Sequence, residues 1–235
     1  MVPAGRVVAA NRLLAALPAK DRKPLLARCD RVELRFGQVL DEPGKRIGHV
    51  YFPIGSYVSL VTKAAGEASL EVGLVGDEGM HGVSLLLGID VSPLHALVQG
   101  AGPAYRMSAR AFRRECAARP ALQRALNRYL YVLMSQLAQS AACTRYHLIE
   151  ARLARWLLMT QDRAHAETFN ITHEFMAWML GVRRVGVTAA ATALQRRHLI
   201  GYRHGVVTVL NRRGLEGVAC PCYRINNNVY DRILG

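Results

Sequence analysis

The first feature of the sequence that could do chemistry is a run of arginines without acidic neighbours. Residues 183–214 contain seven arginines and no Asp or Glu. The seven are Arg183, Arg184, Arg196, Arg197, Arg203, Arg212 and Arg213. A guanidinium group can donate two hydrogen bonds to O6 and N7 of guanine, and it pairs equally well with phosphate. The small side chains of residues 187–193 (VTAAATA) would let a helix fit a narrow, negatively charged groove. This combination favours DNA as the partner.

The overall composition agrees with a polyanionic partner. The formal net charge is +14, and hydrophobic residues make up 51% of the 235 residues, enough for sizeable cores in two domains. No apolar run approaches the roughly 20 residues that cross a bilayer, and residues 1–16 lack a continuous signal-peptide core. We therefore expect a cytoplasmic protein that has no membrane partner.

Catalytic and metal-binding signatures are weak. The sequence contains no nucleophile elbow, zinc-protease motif or Walker loop, so we expect a protein that is not an enzyme. Cys220-Pro-Cys222 is the one close cysteine pair among five cysteines. Because a second ligand pair is not visible near it, reduced thiols are expected, with no metal and no cofactor. His147 and Glu150 are spaced for metal binding on a helix, but a solvated helix surface explains them as well.

The arginine-rich segment has the pattern of a winged helix-turn-helix. Thr172 can cap a helix that runs through Leu180, and Gly181 can end it. A second helix is predicted over 183–197. After it, residues 202–210 alternate about His204-Gly205, as in a hairpin with Arg203 and His204 at its tip. In such a motif the second helix enters the major groove.

The rest of the chain divides into strands and then helices. Short alternating stretches separated by glycines, from Val32 to Met107, predict a β-sandwich or barrel-like module. Ser108 can cap a helix, and a longer helix begins at Pro120. Its apolar stripe consists of Leu122, Leu126, Tyr129, Leu133 and Leu137. The stripe fits either core packing against the β-module or a paired helix in a homodimer. Trp156 and Trp178 are expected in the core.

This order of parts resembles the Crp/Fnr family of bacterial transcription regulators. The strongest carriers are residues 152–158 (RLARWLL), 171–200 and 201–210 (GYRHGVVTVL), together with residues 51–61 (YFPIGSYVSLV). The resemblance implies an α+β fold. Its parts are an N-terminal double-stranded β-helix (jelly-roll) domain like the cyclic-nucleotide-binding domain, a long dimerisation helix, and a C-terminal winged helix-turn-helix. The corresponding domains are residues 1–119, 120–145 and 146–235.

The resemblance also implies how such a protein would act. It implies a homodimer that pairs through residues 120–140, binds a pseudo-palindromic operator in double-stranded DNA and contacts RNA polymerase. Arg184 falls on the recognition-helix position that reads guanine, and Arg183 and Thr172 fall on backbone-contacting positions. Val185 and Ala189 replace polar family residues, so the operator is expected to differ. The expected DNA contacts are Thr172, His173, Arg183, Arg184, Val185, Thr188, Ala189, Arg196, Arg197, Arg203 and His204.

The effector pocket departs most from the family pattern. Met80-His81-Gly82 stands where cyclic-nucleotide-binding members have a Gly-Glu pair, and His95 lies near the position of the phosphate-binding arginine. No Arg or Lys occurs between Lys63 and Arg106. Cyclic AMP is therefore not the expected ligand. The N-terminal cysteine cluster of the oxygen-sensing members is also missing.

Three functions remain open from the sequence. The first is a regulator controlled by an unknown small effector near Met80, His81 and His95. The second is a constitutive DNA-binding dimer with a degenerate sensor domain. The third is a regulatory protein that binds RNA or an anionic membrane surface without sequence preference.

Overall fold

The computed structural model describes residues 11–63 and 69–235, which form an α+β fold. By internal contacts the chain forms two compact units. Of the described residues, the first contains 11–58 and 75–129, and the second contains 59–63, 69–74 and 130–235. The division at residues 119 and 145 stays a prediction. Within the described residues, no helix is both long and apolar enough to cross a membrane.

Seven short strands confirm the predicted β-rich N-terminal module. They are β1 (Asp30–Leu34), β2 (Val39–Asp41), β3 (His49–Pro53), β4 (Tyr57–Lys63), β5 (Ser69–Val75), β6 (His95–Gly100) and β7 (Gly102–Ser108). One sheet has the order β1-β7-β3, and the other has the order β2-β6-β4-β5. β7 pairs antiparallel with both β1 and β3. Leu34, Tyr51, Val98 and Ala104 form one of the buried clusters. The alternation of apolar and polar residues therefore predicted this module correctly.

Two of the helices of this part begin after a residue whose side chain caps the helix. The helices are α1 (Arg12–Ala15), α2 (Ala19–Leu26), α3 (Ala109–Ala118) and α4 (Pro120–Tyr146), with a 3-10 turn at Val83–Leu87. The Ser108 side chain accepts a hydrogen bond from the backbone N–H of Ala111, which confirms the predicted N-cap. The buried Asn11 side chain caps α1 and donates to the carbonyl oxygens of Pro53 and Gly79. This amide thereby fixes α1 to the β-module.

The apolar stripe of α4 is a core feature of the single chain. Leu122 and Leu126 have no exposed surface, and Tyr129 and Leu133 are also buried. The Tyr129 hydroxyl donates to the carbonyl oxygen of Met80 (3.2 Å). Because their own chain already covers these four residues, core packing is the favoured alternative for them. Leu137 is the member of the predicted set that remains half-exposed.

The second unit continues from α4 with five helices and a small sheet. They are α5 (Ile149–Ala164), β8 (Thr168–Asn170), α6 (His173–Leu180), α7 (Arg184–Arg196), β9 (Ile200–Arg203), β10 (Val206–Val209), α8 (Arg212–Val218) and α9 (Cys222–Leu234). The sheet has the order β8-β10-β9. The sequence did not predict β8, because residues 161–170 (QDRAHAETFN) are mostly polar. Pairing with β10, which is distant in sequence, makes this short segment a strand.

The two tryptophans have opposite environments. Trp156 is buried on α5, and its indole N–H donates to the Glu71 carboxylate (3.0 Å). Trp178 on α6 is 50% exposed. The prediction of a core position was therefore correct for Trp156 and wrong for Trp178. Apolar periodicity marks a helix face, but it does not decide how much of the edge of that face is covered.

Candidate nucleic-acid interface

The helix-turn-helix is built by caps at both ends of α6. The Thr172 hydroxyl accepts a hydrogen bond from the backbone N–H of Phe175 (3.1 Å), as predicted for an N-cap. At the other end Gly181 adopts a left-handed conformation with φ 61°, which stops the helix and turns the chain. The backbone N–H of Val182 then bonds to the carbonyl oxygen of Ala177. These local contacts set the start of the second helix.

α7 has one buried face and one open face. Val187, Ala190, Ala191 and Leu194 are buried. The residues predicted to contact DNA on this helix lie on the exposed side, and Val185 is 74% exposed. These exposed residues are Arg183, Arg184, Val185, Thr188 and Ala189. Arg183 is the N-cap residue and Arg184 is the first residue of the helix. The open face thus has two cations at its N-terminal end, followed by small side chains.

His173 links the first helix to the recognition helix and to the hairpin. Its ring stacks on Tyr202, with ring centroids 4.2 Å apart and planes at 16°. Its Nδ1 atom lies 3.0 Å from the Thr188 hydroxyl, which itself donates to the Arg184 carbonyl oxygen. Burial and the nearby Arg184 cation lower the pKa of His173 below its ordinary value. The ring is therefore neutral at pH 7 and acts here as a positioning group.

The hairpin of β9 and β10 presents the predicted tip residues to solvent. His204 and Gly205 both have positive φ angles, 50° and 78°, as two-residue hairpin turns require. Arg203 and His204 are exposed at this turn. The Gly205 carbonyl oxygen accepts from the backbone N–H of Ile171 (2.7 Å), just before α6. The predicted wing is therefore confirmed and is attached to the start of α6.

The remaining arginines are not equally available. Arg196 is exposed at the end of α7. Arg197 forms an ion pair with the half-buried Glu150 (3.1 Å), so this acid is already paired within the chain. Arg212 bonds to the Asp162 carboxylate (2.7 Å), so its guanidinium group stabilises the unit internally. Arg212 belongs to the arginine run that is free of acids, but this pairing favours a structural role over a phosphate contact.

The predicted effector residues lie within the β-module. Met80 and His81 are buried, and His95 is half-buried at the start of β6. The His81 Nε2 atom lies 2.6 Å from an Asp41 oxygen, and both side chains are buried. Sequence reasoning missed Asp41 as the partner of this histidine, because the two residues are far apart in the chain. The imidazole is thus already engaged within its own chain.

A second polar cluster, which the sequence did not predict, lies where α4 ends and α9 begins. The side chains of Cys143, His147, Cys220 and Cys222 place their potential ligand atoms within 4.8 Å of one another. The expectation that Cys220 and Cys222 lack a second ligand pair was therefore wrong. The second pair, Cys143 and His147, lies at the end of α4, more than 70 residues earlier in the chain.

Comparison with known proteins agrees with the geometry. The model of the Crp-like helix-turn-helix domain matches residues 151–218. Among curated proteins, no sequence matches the chain. Similar solved structures include the c-di-GMP-responsive global regulator CLP of Xanthomonas campestris, at 17% identity and a TM-score of 0.67. That likeness covers 82% of this chain and 99% of the other.

Two further structures extend the likeness. A Crp/Fnr-family regulator from Eubacterium rectale has a TM-score of 0.69 at 14% identity, over 88% of this chain and 96% of its own. FixK2 from Bradyrhizobium japonicum has a TM-score of 0.69 at 13% identity. That likeness covers 82% of this chain and 98% of FixK2. At these identities the likeness concerns the fold. The predicted fold is therefore confirmed. The chain therefore carries a Crp-like helix-turn-helix domain at residues 151–218, within a fold like that of Crp/Fnr regulators.

Proposed function

We propose that this protein is a homodimeric transcription regulator that binds a two-fold symmetric DNA operator through α7. The observation that carries the proposal is the open face of α7, where Arg183 and Arg184 precede Val185, Thr188 and Ala189. Small residues let the helix come close to base edges, and the arginines reach guanine or phosphate. The helix N-terminus adds a partial positive charge at the same place. Arg203, His204 and Arg196 supply flanking phosphate contacts.

The residues of this face also indicate what kind of operator it reads. The side chains of Val185 and Ala189 cannot form hydrogen bonds, yet both residues are exposed on the same helix as Arg184. Apolar side chains in the major groove contact the methyl group of thymine. We therefore expect a half-site in which the guanine read by Arg184 is followed by a thymine. Thr172 at the start of α6 completes the interface by contacting the sugar-phosphate backbone, and His173 positions α7 from behind.

The dimer contact is proposed on a different face of α4 from the buried stripe. Tyr131 is 52% exposed and Met134 is 60% exposed. Ala138 and Ala141 continue the row, and both are exposed. The spacing of three, four and three residues is that of a two-stranded coiled-coil seam. A second copy of the chain would cover this row, with Leu137 at its edge, and would bring two copies of α7 to consecutive major grooves.

The proposal includes control by a small effector other than cyclic AMP, and contact with RNA polymerase. The stretch between Lys63 and Arg106 contains no cation that could balance a buried phosphate. An effector near Met80, His81 and His95 would have to compete with the hydrogen bond between His81 and Asp41. The alternative within the same class is constitutive binding of DNA. Measuring operator affinity with and without cyclic AMP tests whether cyclic AMP is the effector. No change in affinity is expected.

The test of the proposal is selection of bound duplexes from a random DNA library at about 150 mM salt. Wild-type protein is expected to yield an inverted repeat with half-sites about one helical turn apart. Arg184→Ala is expected to lose its preference at one symmetric pair of positions. Its affinity for the selected operator should fall about 5- to 150-fold.

Arg224→Ala is the matched control, because Arg224 is an exposed arginine on α9 and its removal changes the net charge equally. This variant should select the same operator as the wild type. Equal binding of every sequence by the wild type, weakened only by salt, would contradict the proposal. That result would instead identify a general polyanion-binding protein.

A further inference from the structure

We propose that Cys143, His147, Cys220 and Cys222 form a zinc site that joins the end of α4 to the start of α9. None of the four residues is among the expected DNA contacts, and the inference does not rest on the proposed function. Three cysteines and one histidine are a common ligand set for a structural zinc ion. The four side chains come from two segments that are far apart in sequence but lie in the same compact unit.

The backbone places the four ligands in two pairs. Cys143 and His147 are one helical turn apart, and the His147 N–H still donates to the Cys143 carbonyl oxygen (3.1 Å). Side chains spaced by four residues project from the same side of a helix. Cys220 and Cys222 flank Pro221 at the first turn of α9. The N–H of Cys220 bonds to the Ala151 carbonyl oxygen, which anchors this second pair against α5.

The distances between the ligand atoms suit a single tetrahedral ion. The sulfur atoms of Cys143 and Cys220 are 3.5 Å apart, and the Cys222 sulfur is 3.4 Å from Nδ1 of His147. Zinc–sulfur bonds of about 2.3 Å and zinc–nitrogen bonds of about 2.0 Å require sulfur–sulfur and sulfur–nitrogen separations of about 3.8 and 3.5 Å in a tetrahedron. All four atoms lie within 4.8 Å of one another. Small side-chain adjustments would therefore complete the coordination sphere.

The surroundings of the cluster suit thiolate ligands. Gln139, one turn before Cys143 on α4, donates its side-chain N–H to the Cys222 sulfur (3.0 Å). Hydrogen bonds of this kind from neighbouring groups orient metal ligands and support their charge. Three thiolates and one zinc ion carry a net charge of −1. The nearly buried cations Arg152 and Arg155 lie within electrostatic range of Cys143 and can balance that charge.

The burial of the three sulfur atoms favours zinc over a reactive thiol site. Cys143, Cys220 and Cys222 are all buried, whereas His147 is half-buried at the edge. Ordinary packing of thiols in a core does not require an imidazole nitrogen at 3.4 Å from a sulfur. Thiolate-rich sites select soft or borderline metals, and zinc adds no redox chemistry. We expect the ion to fix α9 against α4 and α5, and thus to stabilise the second unit.

The first measurement is the metal content of the untagged full-length protein, purified with its thiols reduced. One zinc per chain is expected. Exchange with Co²⁺ should then give the thiolate-to-cobalt charge-transfer bands and visible absorption of a tetrahedral sulfur-rich site. Protein that contains no zinc and gains no cobalt bands, with all five thiols titrating as free, would overturn the proposal. A Cys143–Cys220 disulfide that persists under reducing conditions, or bound iron, would overturn it equally.

Variants locate the site. Cys222→Ser and His147→Ala are expected to lose the cobalt spectrum or to weaken zinc binding at least about 10-fold. Cys29→Ser and Cys116→Ser are the matched controls, because both residues are free cysteines outside the cluster. These controls should keep one zinc per chain. If Cys222→Ser retained full zinc binding while Cys29→Ser or Cys116→Ser lost it, the site would lie elsewhere and the proposal would be wrong.

Discussion

The open face of α7 and the cysteine–histidine cluster use side chains in opposite ways. Arg183, Arg184 and Val185 are exposed and project from one short helix. Cys143 and Cys220 are buried, and they face each other although 77 residues separate them. The first set is exposed to solvent, so changing it should cost the fold little. The second set contacts its own chain, so changing it should affect stability before it affects recognition.

Removal of the cluster should give the largest effect. The double variant Cys220→Ser with Cys222→Ser is expected to lower the Tm by about 10 °C or more, because a structural metal ligand set contributes directly to folding. The operator selected by the fraction that remains folded should not change. Thermal unfolding and DNA selection on the same preparation check both parts. If the double variant kept the wild-type Tm but selected a different operator, the cluster would act in DNA recognition and not in stability.

Arg184→Ala should give the opposite result. The loss of one base contact is expected to cost about 1–3 kcal/mol of specific binding free energy, with a change in unfolding free energy within about 0.5 kcal/mol. Fluorescence anisotropy with the selected operator and with a scrambled duplex measures the specific part. Arg224→Ala, which removes an exposed arginine from α9, serves again as the control. Equal weakening on both duplexes would make Arg184 a phosphate contact only.

The carboxylate of Glu71, a half-buried residue on β5, predicts a pH effect on stability. Burial raises the pKa of Glu71 to about 7, although hydrogen bonds from Ser59 and Trp156 oppose the shift. Because this pKa is above the unfolded value of about 4.3, the protonated form is favoured by folding. The contribution to stability is fully present below about pH 4.3 and is lost as the pH rises through about 7.

Comparison of Glu71→Gln with wild type tests this effect. The free energy of unfolding of the wild type, relative to that of the variant, should fall by about 1–3 kcal/mol between pH 5 and pH 8. Urea denaturation at both pH values measures the difference. The amide keeps the shape of the carboxyl group, so packing is preserved. If the free energy of unfolding changed with pH equally in the two proteins, the raised pKa of Glu71 would be contradicted.

The smallest expected effect concerns Thr172, which caps α6 within the chain and is also an expected DNA contact. Thr172→Ala removes the N-cap of α6 and should cost about 1 kcal/mol of stability. Thr172→Ser keeps the capping oxygen and should retain nearly all of it. If Thr172 also contacts the DNA backbone, the alanine variant should weaken binding to every sequence about equally. Chemical denaturation and anisotropy on the two variants separate these contributions.

The sequence predicted those elements whose signals are local. The Thr172 cap, the Gly181 turn and the His204-Gly205 hairpin tip are each specified by a few consecutive residues, and all three were confirmed. The exposure of Val185 follows from the same helical periodicity. Local conformational preferences act over one turn, so a contiguous motif of about 40 residues can be recognised without knowledge of its surroundings.

Features that depend on which surface covers another could not be predicted in this way. The periodicity of α4 identified an apolar stripe, but the same stripe would serve a core or a dimer. Burial of Leu122 and Tyr129 against their own chain decided the question. The proposed seam at Tyr131 and Met134 became visible only after the covered face was known.

The sequence by itself determined the Crp-like helix-turn-helix, its wing, the position of Arg184 at the start of the recognition helix, and the basic character that suits DNA. The tertiary structure alone decided that Asp41 meets His81 and that Cys143 and His147 meet Cys220 and Cys222. The physical reason is distance along the chain. Hydrogen bonding and side-chain spacing within a helix or turn are encoded locally. Contacts between residues far apart in sequence exist only after the helices and sheets have packed together.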